Sequence, residues 1–219
     1  KQSEKAIKLL ESYLPKANEE EKYTIAEIYI QWGFLQEAST ILNELLQQYP
    51  NESDLKVMLA DIYIELEDDE PAINLLNEIG DDDPTYIQAL IQLADLYQTQ
   101  GLFEVAEQKL LAAKQVEPNE VIIDFALGEL LFSIGEYRKA IIYYNKIISK
   151  TKEVANISIV DRLAEAYAAS GEYELALSYF QDVDNENPDT LFKYGITAYQ
   201  AGRKDIAIKA WEHVIEMDT

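Results

Sequence analysis

Five carboxylates are the side chains whose type and spacing could do chemistry: Glu27, Asp61, Asp95, Glu129 and Glu165 recur at intervals of 34, 34, 34 and 36 residues. A row of single acids is suited to attracting positive charge, because a surface lined by one sign concentrates its field on the opposite sign. Other chemistry has little to work with. His213 is the only histidine, so no multi-histidine metal site or histidine relay can form, and it reads as an ordinary surface or capping residue. The chain has no cysteine, which excludes disulfides, thiolate nucleophiles and cysteine metal sites. The acidic runs Asp68-Asp69-Glu70 and Asp81-Asp82-Asp83-Pro84 lack the spacing and central glycine of a calcium loop, and they read as helix-boundary residues. No catalytic residue, metal site or cofactor is expected.

The elements that must position those acids are repeated. Ala6, Ala38, Ala72, Ala106, Ala140, Ala176 and Ala207 fall at intervals of 32, 34, 34, 34, 36 and 31 residues. Before each alanine from Ala38 onward stands a helical stripe such as Ile25, Ala26, Tyr29, and after it a second such as Leu42 and Leu45. Later copies give Leu59, Ala60, Tyr63; Leu93, Ala94, Tyr97; Leu127, Gly128, Leu131; Leu163, Ala164, Tyr167; and Tyr194, Gly195. Each unit is therefore a helix pair whose small residues let two axes approach to about 8–10 Å. Gly33, Gly101, Gly135, Gly171 and Gly202 follow the first helices, where a left-handed residue commonly ends a helix. Glu67 takes that place in the second unit, whose turn is expected to be less rigid. Pro50, Pro84, Pro118 and Pro188 are expected to end second helices, with Val183 in a core column of the fifth unit and Thr219 in the proline column of the sixth.

This pattern of Leu-Gly, Tyr, Ala, an aromatic and Pro at a period of 34 resembles the tetratricopeptide repeat, over essentially the whole chain. The resemblance implies an all-α, right-handed α-solenoid, a superhelix of stacked antiparallel helix pairs in a single domain. A partial repeat would occupy 1–18, with repeats at 19–52, 53–86, 87–120, 121–156, 157–187 and 188–219. It also implies that the stripe of Tyr23, Glu27 and Ile30 lines a concave groove. Continued down the stack, that groove carries Glu27, Asp61, Asp95, Glu129 and Glu165, with Tyr23, Phe125, Phe132 and Tyr199 as aromatic contacts. The matching ligand is a basic or basic-amphipathic protein segment. Members that hold a terminal carboxylate need groove-lining cations. Here the only bases nearby, Arg162 and Lys193, sit one position off the stripe.

Formal charge is −23, from 41 acids against 18 bases, which disfavours nucleic acid and anionic membrane as partners. No apolar run is long enough to span a bilayer, and the lack of cysteine fits a cytoplasmic protein. The first residue, Lys1, suggests a fragment of a longer solenoid. The end units lack polar caps, and solenoids need them. The alternative function is accordingly a self-assembling structural module that associates end to end through Leu10 and Trp211.

Overall fold

A computed structural model describes residues 2–181 and 187–217, so Lys1, Val183 and Thr219 lie outside the described residues. It contains α1 (Gln2–Tyr13), a 3-10 turn (Leu14–Lys16), α2 (Glu19–Gln31), α3 (Leu35–Gln48), α4 (Ser53–Glu65), α5 (Asp69–Asn77), α6 (Tyr86–Thr99), α7 (Phe103–Val116), α8 (Val121–Ser133) and α9 (Tyr137–Ile148). A hairpin of β1 (Glu153–Val154) and β2 (Ile157–Ser158) precedes α10 (Ile159–Ala169), α11 (Tyr173–Phe180), α12 (Pro188–Gln200) and α13 (Lys204–Met217). The helices fall into two compact units, residues 1–100 with α1 to α6 and residues 101–219 with α7 to α13. The fold is an all-α repeat solenoid.

Local chemistry sets the helix ends. Asn18 opens α2 with a reciprocal capping box: its side chain accepts from Glu21 N at 2.9 Å, and its own N–H donates to Glu21 at 2.8 Å. Gly33, at φ 77°, closes the helix; its N–H donates to Ile30 O and the Phe34 N–H to Tyr29 O, at 3.0 and 2.8 Å. That pair of bonds satisfies carbonyls the helix end would otherwise leave open. Glu67 makes the same turn at φ 58°; its N–H donates to Ile64 O and the Asp68 N–H to Tyr63 O, at 3.0 and 2.8 Å. The second repeat's turn thus keeps the glycine geometry, and the cost is borne by a side chain in left-handed backbone.

Small and large columns then fit each other. In the first unit Ala26 faces the core with Ala38 and Leu42, all three wholly buried, and Ala60 does so with Ala72 and Leu76. In the second unit the large position becomes aromatic, and in two of its repeats the small one falls to glycine. A Cβ on Gly128 would stand 2.7 Å from Tyr144 Cε1, and a Cβ on Gly195 would stand 2.7 Å from Trp211 Cδ1. The ring occupies the space of the missing methyl, so total volume across the joint is kept. Tyr63 and Tyr167 accept hydrogen bonds from Asn43 and Asn145 at 3.1 and 3.4 Å, as a ring packed inside with a polar edge requires. Tyr29 differs, since its hydroxyl is buried without a partner among the described residues.

Two connections depart from expectation. The longer 36-residue interval is taken up by the β1–β2 hairpin, in which Val154 pairs with Ile157 across a two-residue turn. Ala155 and Asn156 both have positive φ, 48° and 62°, as a turn matching the strand twist demands. Pro188, expected to end a second helix, instead occupies the first position of α12, because α11 already ends at Phe180. Proline suits that place, where its missing N–H has no helical acceptor.

Candidate functional site

In the first unit, α2 and α4 present matching stripes at helical spacing: Glu19, Tyr23, Glu27, Ile30 on one and Asp54, Met58, Asp61, Glu65 on the other. The C-terminal halves of the two helices enclose a cleft of about 550 Å³ lined by Glu27, Ile30, Gln31, Met58, Asp61, Ile62, Ile64 and Glu65. Carboxylates and aliphatic side chains therefore share one concave wall. No lysine, arginine or histidine lies within ion-pair distance of Glu27, Asp61 or Asp95 among the described residues; the unit's Lys22 and Lys56 are paired with Glu44 and Glu78, at 3.3 and 2.8 Å. Neither α2 nor α4 has a basic residue in its last turn, so the negative ends of both helix dipoles add to the field. Asp61 stays open to solvent, but partial loss of hydration in the cleft, and next the Glu65 carboxylate, raise its pKa, while a hydrogen bond from Gln92 works against that rise.

The second unit treats its acids differently. Arg162 on α10 places Nε 2.9 Å from Glu129 Oε1 and Nη1 2.9 Å from Glu165 Oε2, and Lys193 on α12 pairs with the other Glu165 oxygen. Tyr144 also donates its hydroxyl to Glu129 Oε1 at 2.6 Å. The five expected carboxylates thus divide, with Glu27, Asp61 and Asp95 exposed and lacking a cation, and Glu129 and Glu165 half-buried and internally paired. The two bases one position off the stripe do reach it. A side chain as long as arginine spans the roughly 10 Å between neighbouring helices.

The aromatic residues divide too. Tyr23 is half-buried against the first unit's core beside these acids, and Tyr199 is 57% exposed on α12, tilted against Trp211 at 6.3 Å. Phe132 is half-buried, edge-on to Tyr137 at 5.2 Å. Phe125 is not an exposed contact: it is 7% exposed and packs within the second unit's core with Leu131, Ile141 and Tyr144. Leu10 and Trp211 are likewise half-buried against core clusters of their own units. Sequence reasoning missed Asp124, a carboxylate only 1% exposed that Lys114 and Lys146 both engage, the latter at 2.9 Å. A charge so deep must be paired, and here the pairing ties α8 to α7 and α9. Among the described residues no helix is long and apolar enough to cross a membrane.

Comparison with known proteins places this architecture. Three family descriptions match in succession: "Tetratricopeptide repeat protein 21 ARM repeat" over residues 1–101, "YpiA-like, tetratricopeptide repeats" over 98–152, and "Tetratricopeptide repeat" over 159–184. The chain belongs to the tetratricopeptide-repeat family. It is 40% identical to the TPR repeat-containing protein YpiA of Bacillus subtilis (strain 168) over 99% of its own length and 52% of that protein's, so it spans about half of this relative. A solved tetratricopeptide repeat protein from Parabacteroides merdae ATCC 43184 superposes with a TM-score of 0.74 at 17% identity, over 91% of this chain and 79% of that one. YrrB, described as a TPR protein with an unusual peptide-binding site, gives 0.64 at 14% identity over 80% and 91%. At such identities these structures speak to the fold alone.

Proposed function

We propose that this tetratricopeptide chain is a non-catalytic, cytoplasmic protein-interaction scaffold that binds a basic or basic-amphipathic protein segment on the acidic face of its first unit. One observation carries the reading: Glu27, Asp61 and Asp95 lack internal cations, and two of them line an aliphatic cleft, whereas the corresponding Glu129 and Glu165 are already neutralised. A partner's lysine or arginine would lay its methylene stem on Ile30, Met58 and Ile62 and its charged head among Glu27, Asp61 and Glu65. Carboxylates without an internal cation can make such a contact without first breaking an ion pair. The bound segment would have Tyr23 beside it as an aromatic contact. The peptide-binding site named for the distant fold neighbour YrrB is in keeping with this mode.

The test uses a synthetic peptide that alternates lysine with leucine. It should bind the chain with an affinity that falls as salt rises, and Asp61→Lys combined with Asp95→Lys should abolish binding while far-ultraviolet circular dichroism stays unchanged. Undiminished binding by the doubly reversed variant would rule the assignment out.

A further inference from the structure

The first unit has a second cavity, which differs from the acidic cleft in its two tyrosines and in the helix ends its three carboxylates face. It measures about 340 Å³ and is lined on its apolar side by Tyr23, Leu45, Tyr49 and Leu55. It lies at the N-terminal ends of α2 and α4, where three carboxylates, Glu19, Glu52 and Asp54, also contribute, with the C-terminal end of α3 closing it. The carboxylates there face the positive ends of two helix dipoles, which offset part of their charge. Glu19 is further engaged by the Tyr49 hydroxyl. At the other end of the same two helices the dipole ends are negative and reinforce Glu27, Asp61 and Glu65. One end of the α2–α4 face thus reinforces its carboxylates for a cation, while the other offsets its own at the helix N-termini and offers Tyr23, Leu45, Tyr49 and Leu55 to an aliphatic or aromatic side chain.

The spacing between them follows from the helices. The linings centre on α2 near residue 21 for one cavity and near 29 for the other. At a rise of about 1.5 Å per residue, eight residues separate them by about 12 Å. The α4 linings, centred near residues 54 and 62, give about the same separation. An extended chain advances about 3.3 Å per residue and turns alternate side chains to the same side, so positions i and i+4 reach across about 13 Å. A cleft between neighbouring helices with axes roughly 10 Å apart is narrower than a helix of about 10–12 Å diameter, which favours the extended form.

Resting on the function proposed above, we infer that the α2–α4 face reads an extended segment carrying one basic residue and one large apolar residue four positions apart, the basic side chain in the Asp61 cleft and the apolar one in the Tyr23–Tyr49 cavity. The experiment uses peptides of identical composition, each with one arginine and one leucine, separated by two, four or seven positions in both orders. Their affinities for the full 219-residue chain are measured by calorimetry. The four-residue spacing should bind about fivefold tighter than the others in at least one order. Tyr49→Ser, at a side chain 40% exposed, should erase that preference with helicity unchanged, and Asp61→Asn should weaken all the peptides. Equal affinities at every spacing, or an optimum at seven, would overturn the inference while leaving charge-driven binding intact. Absence of any salt-sensitive binding to the arginine peptides would instead remove the function on which it rests.

Discussion

Substituting Gly128 with alanine sets the packing logic of the repeat against intrinsic helix propensity. In a free helix the change would stabilise by about 1 kcal/mol. Here the new methyl would meet Tyr144 at 2.7 Å from Cε1, 3.1 Å from Cδ1 and 3.2 Å from Cζ. The ring cannot simply retreat. Tyr144 is wholly buried, and its hydroxyl is held at 2.6 Å by Glu129, whose oxygen also receives Arg162. Overpacking of this kind costs about 1–3 kcal/mol, and the immobile ring puts this site toward the upper part of that range, so a net loss of up to about 2 kcal/mol is expected after the propensity gain. Tyr144→Leu alone should also destabilise, by about 2–4 kcal/mol, through the void it leaves and the donor Glu129 loses. Together the two changes recreate the alanine–leucine pairing of Ala26 with Leu42, so their combined cost should fall short of the sum by at least about 1 kcal/mol. Urea unfolding of the four proteins, followed by far-ultraviolet circular dichroism, measures this coupling. Strictly additive losses, or a Gly128→Ala protein more stable than its parent, would refute the idea that ring and glycine share one space.

Two further outcomes concern the first unit. Glu67→Gly should raise stability by about 0.5–1 kcal/mol, and the melting temperature by about 2–3 °C, because the left-handed backbone at φ 58° penalises any side chain; an unchanged or lower melting temperature argues against that strain. Asp61 gives a signed pH dependence. Partial loss of hydration and Glu65 lift its pKa in the folded protein, so the folded state holds the proton more tightly and stability declines as pH rises from the ordinary aspartate range through that lifted value. A bound cation favours the ionised form, so affinity for a basic peptide should fall as pH is lowered through the same range, and Asp61→Asn should flatten that fall in a calorimetric titration.

The helix pairs and their joints were legible in sequence because stripes of period 3.6 and a column of small residues leave a single way to pack them, as Ala26, Ala38 and Leu42 show. The split of the five acids was not legible, because Lys22 and Lys56 lie on α2 and α4 themselves and only the packing turns them to Glu44 and Glu78 instead of Glu27 and Asp61. Phe125 was misplaced because α8 is apolar nearly all round, with Ile123, Phe125, Leu127, Leu130 and Leu131 all buried, and such a helix has no polar face from which to read its orientation. The pairing of Glu129 and Glu165 was hidden because Arg162 and Lys193 lie off the stripe, and only the length of their side chains closes the gap. Asp124 and the β1–β2 hairpin are tertiary outcomes. A lone acid in a helix's first turn reads as a dipole partner until two lysines from other helices converge on it.

The most direct test of the central claim compares matched neutral substitutions in the two units. Asp61→Asn and Asp95→Asn remove charge from carboxylates without internal cations, and Glu165→Gln removes it from one already held by Arg162 and Lys193. In calorimetric titration with the lysine–leucine peptide at low salt, the account predicts that the paired first-unit changes weaken binding about tenfold, while Glu165→Gln leaves it essentially unaltered. Equal losses from both sets, or a loss confined to Glu165→Gln, would contradict it.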